Sequence, residues 1–306
     1  MRVSVIIPTY NCAARLVRAL ESVAAQTVPA ESIELIVIDD GSSDDTAERV
    51  AQFAASARCT TRYVRQDNAG PAAARNHGLR LAQGDAIALL DADDWWEPDK
   101  LRVQLPLLGG DTALVYCGNR FVDANGAPLA NYVREIPVHR GDILLPLFCE
   151  FFLLTSAVVL SKAALEAVGP FRADLPVGED YEFFLRVASK FRADCAPAPL
   201  LVRCVRPDSL SRRDYALDAR IDLDTLSQFL VAHPDFERDN AAAVRQRLAR
   251  YRYDFAYRLL ADGQPRAAIA QLTQSLRTRA SVAAARTLCR ALLRAWRPAA
   301  ATRSNG

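Results

Sequence analysis

Lysine is almost missing from this chain. Of 38 basic residues among 306, only Lys100, Lys162 and Lys190 are lysines, and arginine carries the rest of the positive charge. The 36 acids are interspersed with these cations, so no basic run marks a nucleic-acid surface and no nucleic-acid partner is expected. Zinc chemistry is also poorly served. His77, His139 and His233 lie far apart, and the 7 cysteines include no C-x-x-C pair, so they read as reduced thiols and the histidines as packing or surface residues. An unbroken apolar run is lacking too: the stretch from Ile143 to Leu160 is interrupted by Pro146, Glu150, Thr155 and Ser156. It reads as a buried helix followed by a strand rather than a membrane span. No export signal pattern opens the chain, and a cytoplasmic location is expected. The first strand leads into Pro8-Thr9-Tyr10-Asn11, which is neither G-x-G-x-x-G nor a Walker loop, and this argues against a dehydrogenase or an ATPase.

What is present is half apolar, 51%, enough for one large core or two smaller ones. From Arg2 to Asp91, short β-branched runs alternate with longer amphipathic stretches, the pattern of βαβ units on a parallel sheet. Strands are expected at Val3 to Ile7, Ile33 to Asp39, Thr61 to Gln66 and Ala86 to Asp91. Helices are expected between them at Ala13 to Gln26, Asp44 to Ala57 and Pro71 to Gln83. Asp44, Asp45 and Asp99 suit helix caps, and Pro71 suits a first turn.

After Asp94 the rhythm becomes mixed: a helix near Pro98 to Leu108, a strand from Ala113 to Val122, a turn at Asn125-Gly126, a helix from Glu179 to Lys190 and a strand near Pro199 to Val205. From Tyr215 onward the chain is rich in Ala, Arg and Leu at helical spacing. Tyr251 to Arg277 reads as one tetratricopeptide-like hairpin turning at Asp262-Gly263-Gln264-Pro265. The Arg-rich tail reads mainly as a solvated helix face, with contact at the inner face of the cell membrane kept open.

Chemistry concentrates at strand ends. Asp39-Asp40 closes the second strand and Asp91-Ala92-Asp93-Asp94 the fourth, and the carboxyl edge of an open parallel sheet is where ligands bind. Five acids are expected to converge there, and such crowding calls for a cation. Hard oxygen ligands at Asp-x-Asp spacing suit Mg2+ or Mn2+, which in turn meets phosphate oxygens of a nucleotide diphosphate.

VSVIIPTYN (Val3 to Asn11), VIDDGSSDDT (Val37 to Thr46), the stretch from Asn68-Ala69-Gly70 to Ala74-Arg75-Asn76, LLDADD (Leu89 to Asp94) and Gly178-Glu179-Asp180 closely resemble family 2 glycosyltransferases of the GT-A fold, in that family's order, over about residues 2 to 212. The resemblance implies a Rossmann-like, mostly parallel central sheet flanked by helices, with a small mixed α+β acceptor region; the helical spacing beyond it adds an all-helical C-terminal tail. The expected division is residues 1–110 as a nucleotide-sugar half, 111–212 as an acceptor half and 213–306 as a helical extension.

Laid onto this chain, the resemblance implies that Pro8, Tyr10 and Asp40 hold the base and ribose, with Arg75 nearby. Asp91 and Asp93 form the Asp-x-Asp element for the donor and Mn2+ or Mg2+, with Asp93 the direct metal ligand. Asp180 is the implied catalytic base, and Glu179 faces the acceptor or tunes that base. Trp95 and Trp96 are candidates to line a sugar pocket, since aromatic faces suit sugar rings. Arg206 stands near where many relatives carry a histidine, a departure from the family pattern. The implied reaction is inverting transfer from a nucleotide-sugar, UDP-linked for preference, to a glycan or lipid-linked glycan acceptor. The transmembrane helices and Q-x-x-R-W motif of processive synthases are not seen, which implies non-processive transfer. Two rivals share features: a sugar-nucleotide nucleotidyltransferase, which would need a Gly-rich phosphate loop, and a non-catalytic carbohydrate-binding scaffold, which would tolerate loss of a key acid. Oligomeric state, donor sugar and acceptor are left unset by these motifs.

Overall fold

The structure is a computed structural model that describes residues 1–123, 126–129, 136–205 and 215–296, except the side chains of 215, 216 and 296. The chain divides into two compact units, Met1–Ser209 and Leu210–Gly306. In the first, the strands are β1 (Val3–Thr9), β2 (Ile33–Asp39), β3 (Thr60–Arg65), β4 (Ala86–Leu89), β5 (Asp94–Trp96), β6 (Thr112–Val122), β7 (Val159–Ser161) and β8 (Arg192–Cys204). The helices are α1 (Ala13–Ala24), α2 (Thr46–Ala54), α3 (Pro71–Leu81), α4 (Lys100–Gln104), α5 (Leu144–Cys149), α6 (Lys162–Val168) and α7 (Glu179–Ala188).

The strands form one sheet in the order β3-β2-β1-β4-β7-β6-β8-β5. β1 pairs in parallel with both β2 and β4, Val3 standing opposite Ile33 on one side and Ala86 on the other. Every residue of β2 is buried, as a parallel strand covered on both faces requires, and this explains its unbroken Ile-Glu-Leu-Ile-Val-Ile-Asp run. On one face, Leu16, Ala19, Leu20 and Val23 of α1 join Val3, Val5 and Ile7 of β1 in a common core. Each large member contributes about 1.5–3 kcal/mol by leaving water. On the other face, α3 lies so close that a Cβ on Gly78 would stand 2.4 Å from Ile6 Cγ2.

β7 runs antiparallel to β4 and to β6, while β6 and β8 are parallel. The apolar Ile143–Leu160 stretch supplies α5 and then the start of β7, as its polar interruptions indicate. Three features differ from expectation. Asp94–Trp96 forms an edge strand against β8, where no strand was expected. β8 begins at Arg192, earlier than expected, with register shifts beside Gly118, where a Cβ would stand 2.4 Å from the Pro197 carbonyl. α4 stops at Gln104 because Pro106 lies in a 3-10 turn, Leu105–Leu107.

Two of the three expected caps are corrected. Asp45 and Asp99 sit at cap positions without capping; they pair instead with Arg49 and Arg102, each at 2.8 Å. Asp44 does accept from the Thr46 N–H that opens α2, at 3.2 Å, and also from the Ala13 N–H at 3.0 Å, which ties α1 to the β2–α2 loop. Past β6, Val122 and Pro128 form an antiparallel bridge. Asn125 of the expected turn lies outside the described residues.

The second unit is helical: α8 (Tyr215–Ala232), α9 (Pro234–Asp239), α10 (Ala241–Ala261), α11 (Pro265–Thr278) and α12 (Val282–Trp296). The expected hairpin is α10 and α11, turning at Gly263, whose φ of 72° suits glycine. Its core includes Leu223, Phe255, Leu259, Leu272, Ala284 and Ala291. Among the described residues no helix is long and apolar enough to cross a membrane.

Candidate active site

The carboxyl ends of β2, β1 and β4 lie side by side, and the expected donor residues line this edge. Pro8 stands in β1 opposite Ile38, and Tyr10 just beyond it is 53% exposed. Asn11 takes a φ of 47°, which lets its N–H donate to Ser42 Oγ at 2.9 Å while its side-chain oxygen accepts from the Ser43 N–H at 2.8 Å. Asp39 accepts from the Ser42 N–H at 2.8 Å and from the Tyr63 hydroxyl at 2.5 Å. Burial, then this bond to Asp39, pushes the Tyr63 phenol well above its ordinary range.

Asp40 is buried and accepts from Gln66 Nε2 at 2.7 Å, the Ala69 N–H at 2.9 Å and the Gly70 N–H at 2.8 Å. Since Asp40 can only accept, the amide end of Gln66 must face it, and the Gln66 oxygen then meets His77 Nδ1 at 2.8 Å. Gly41, Arg65, Gln66, Asp67 and Asn68 line a cleft of about 540 Å³ around this loop. Asp39 and Asp40 are thus hydrogen-bonded by their own surroundings. Electrostatic interaction links Asp94 with Asp91 and Asp93, and Asp180 with Glu179 and Asp91.

Arg75 links this second set. It projects from α3 into a buried position, donating from Nη2 to Asp91 at 2.9 Å and from Nη1 to Glu179 at 2.6 Å. Burial opposes the guanidinium charge, but Asp91 and Glu179 outweigh it and hold the group firmly charged. The neighbouring Asn76 fixes the geometry by bonding both the N–H and the carbonyl of Phe171 at 2.8 Å, pinning the segment that leads to α7. Gly178 enters α7 with a φ of 73°, and the first turn presents Glu179 and Asp180, where the helix dipole favours acids. The Tyr181 hydroxyl donates to the Phe148 carbonyl at 3.0 Å and anchors the helix on α5.

Asp180 accepts from the Tyr181 N–H at 2.8 Å and receives the Thr155 hydroxyl at 3.5 Å. Burial, then the charge of Glu179, pushes its carboxyl up to about 7, with Arg75 pulling the other way. Asp94 is buried and pushed up to about 8, first by burial and then by Asp91 and Asp93.

The Asp-x-Asp spacing of Asp91 and Asp93 at the carboxyl end of β4 offers hard oxygen ligands that fit a divalent cation. Among the described residues, however, no cluster of three or more His, Cys, Asp or Glu side chains forms a protein cage for one. Two carboxylates that share the ion with substrate phosphates match the way Mg2+ is ordinarily held, so Asp91 and Asp93 suit that role.

The tryptophans divide. Trp96 is 3% exposed and donates from Nε1 to the Ser156 carbonyl at 2.8 Å, so it is a core residue and not a pocket wall. Trp95, on the opposite side of β5, lies under the Arg18 guanidinium at 3.4 Å. Arg206 lies outside the described residues. Sequence reasoning passed over the individual roles of Asp94, Thr155 and Ser156. Asp94 had a signal as the third acid of its run, and the two hydroxyls as polar residues inside an apolar stretch.

A family model described as Glycosyl transferase family 2 matches residues 4–160. Chondroitin synthase of Escherichia coli is 31% identical over 188 residues, which cover 61% of this chain and 26% of that protein. Chondroitin synthase of Pasteurella multocida is 27% identical over 254 residues, 82% of this chain and 24% of the relative. The chain therefore spans about a quarter of the length of these two relatives. Among solved structures, S. aureus TarS superposes with a TM-score of 0.64 at 20% identity, covering 96% of this chain and 53% of that one. TarS 1–349 in complex with UDP-GlcNAc gives 0.60 at 19% identity, covering 90% of each chain. The mannosyltransferase PcManGT from Pyrobaculum calidifontis, in complex with GDP-Man and Mn2+, gives 0.62 at 23% identity, covering 97% of this chain and 81% of that one. These likenesses make the fold GT-A, and the family match over residues 4–160 makes the chain a member of glycosyl transferase family 2.

Proposed function

We propose that the chain is an inverting, non-processive glycosyltransferase that moves a sugar from a nucleotide-sugar, UDP-linked for preference, to a hydroxyl of a glycan or lipid-linked glycan. The observation that carries this reading is the Arg75 bridge, which holds Asp91 at 2.9 Å and Glu179 at 2.6 Å and so brings the Asp-x-Asp turn and the Glu179–Asp180 pair to one site, where burial and Glu179 push the Asp180 carboxyl up to about 7. Neutral poise is what a general base needs to take a proton from an alcohol near physiological pH. The relatives named chondroitin synthase and the neighbours bound to UDP-GlcNAc or GDP-Man support a nucleotide-sugar donor.

In this reading Pro8, Tyr10 and Asp40 hold the base and ribose, Asp40 by keeping the Gln66–Gly70 loop in place around the cleft. Arg75 orients Asp91 towards the diphosphate and holds Glu179 beside Asp180. Asp91 and Asp93 hold Mn2+ or Mg2+; when bound, the ion offsets the charge that builds on the departing diphosphate. Asp180 accepts the proton of the acceptor hydroxyl as its oxygen bonds to the anomeric carbon and the bond to the diphosphate breaks. One in-line displacement inverts that carbon. Glu179 tunes Asp180 through its charge, and Trp95 lies towards the acceptor side.

The test is a panel of UDP-, GDP- and dTDP-sugars with Mn2+ or Mg2+, read by nucleotide binding and diphosphate release. Asp93→Ala should lose metal-dependent binding, and Asp180→Ala should keep binding and lose turnover. A folded chain that binds no nucleotide-sugar with either ion overturns the reading and favours a carbohydrate-binding scaffold.

A further inference from the structure

β7 is preceded by a single 3-10 turn, Thr155–Ala157, and both chemical parts of the site rest on it. Ser156 is 1% exposed. Its Oγ accepts from the Asp91 N–H at 3.1 Å, at the start of the acidic turn. The Ser156 carbonyl accepts from the Trp96 indole at 2.8 Å, and the Ala157 carbonyl accepts from Gln104 Nε2 at 3.0 Å. Gln104 Nε2 also donates to the Val115 carbonyl at 3.0 Å, which ties the turn to β6. One residue earlier, Thr155 is 5% exposed and directs its Oγ1 at Asp180 Oδ2, 3.5 Å away.

We propose that the Thr155–Ser156 turn is a positioning device: Ser156 sets the shape of the Asp91–Asp94 turn, Thr155 aims Asp180, and their adjacency in the chain fixes the spacing between the two. The proposal rests on the transferase reading for its catalytic consequence. Its structural part stands apart, because a backbone amide reports on it without any nucleotide. Neighbours of this kind matter because they hold reacting groups within fractions of an ångström of productive geometry.

The experiment uses the full chain with Ser156→Ala, Thr155→Val and Thr155→Ser, each checked by thermal unfolding. Without nucleotide, hydrogen exchange at the Asp91 amide should speed up about tenfold or more in Ser156→Ala, since its acceptor is gone. With Mn2+, calorimetry should show UDP binding weakened about 10- to 100-fold in Ser156→Ala and unchanged in Thr155→Val. Turnover should show the complementary split: Thr155→Val lowers kcat about 10- to 100-fold at unchanged donor KM, and Thr155→Ser restores it. A merely structural role would give the two neighbouring positions the same phenotype, scaled to lost stability, and that result overturns the proposal. Unchanged Asp91 exchange in Ser156→Ala also overturns it. Faster exchange in a protein whose wild type turns over no donor supports the device and sinks only the transferase reading.

Discussion

In the proposed mechanism Asp180 acts as a base only when ionised, so kcat/KM should fall about tenfold per pH unit below about 7 and level off above it. Its folded pKa lies above the ordinary 3.8, so the unfolded chain gives up the proton first and stability drops as pH rises between these values. Asp180→Asn should therefore cut turnover by about 10²–10⁴-fold while raising the melting temperature at pH 8, and an unchanged or lower melting temperature would contradict the assignment. Lys100 gives the opposite sign. It is fully buried over the Trp96 ring at 4.1 Å, its Nζ has no hydrogen-bond partner, and burial brings it down to about 8 from 10.5. Between these values the unfolded chain binds the extra proton, so stability rises with pH. Lys100→Met should add roughly 1–3 kcal/mol at neutral pH and remove that rise, as read by urea unfolding at neutral pH and at about pH 9.5. At this scale the strand-end acids were readable because carboxylates crowd at known places on parallel sheets. Arg75 with Glu179 was not, since the partners are 104 residues apart and meet only when the folded chain brings the side chain from α3 to the first turn of α7. Thr155 and Ser156 were visible as blemishes in an apolar run, but which groups they touch depends on the tertiary fold.

Two glycines decide how closely elements approach. Gly78→Ala would push a methyl into Ile6, whose side chain can yield in part, and should cost about 1–3 kcal/mol in urea unfolding. Gly118→Ala meets the backbone carbonyls of Pro197 and Ala198, at 2.4 and 2.6 Å, which cannot yield without moving β8. The second substitution should be the more damaging, and an inverted ranking would mean that β6 and β8 tolerate a different register. The same elements show what a sequence can say. β1 and β2 announce themselves because strands buried on both faces need continuous β-branched runs. β5 does not, being three residues long, Asp94 and two tryptophans, with a partner strand that comes much later in the chain. β8 is masked by Pro197 and Pro199, prolines that are tolerated because a register shift beside Gly118 absorbs the irregularity.

The two units draw on separate cores, one around β1 and α1 and the other around α10 and α11. Residues 1–209 expressed alone should therefore unfold cooperatively and bind UDP with an affinity within about threefold of the full chain. A larger loss would assign part of the donor site to the helical unit. The composition of the tail, Ala, Arg and Leu at helical spacing, made its helices legible because a 3.6-residue apolar stripe needs no distant partner to be recognised. The sheet order has a consequence for the ribosome. The β1–β4 ladder can zip while the chain is still short, but β5 has no partner until β8 emerges, on the order of ten seconds later at about 5–20 residues per second. Ser156 emerges after the Asp91–Asp94 turn, and Glu179 and Asp180 later still, so the turn is made well before the groups that meet it. In the proposed reading a nascent chain is first a donor-site scaffold without its base, and the ability to react arrives late in synthesis, when α7 and the last strand close the sheet.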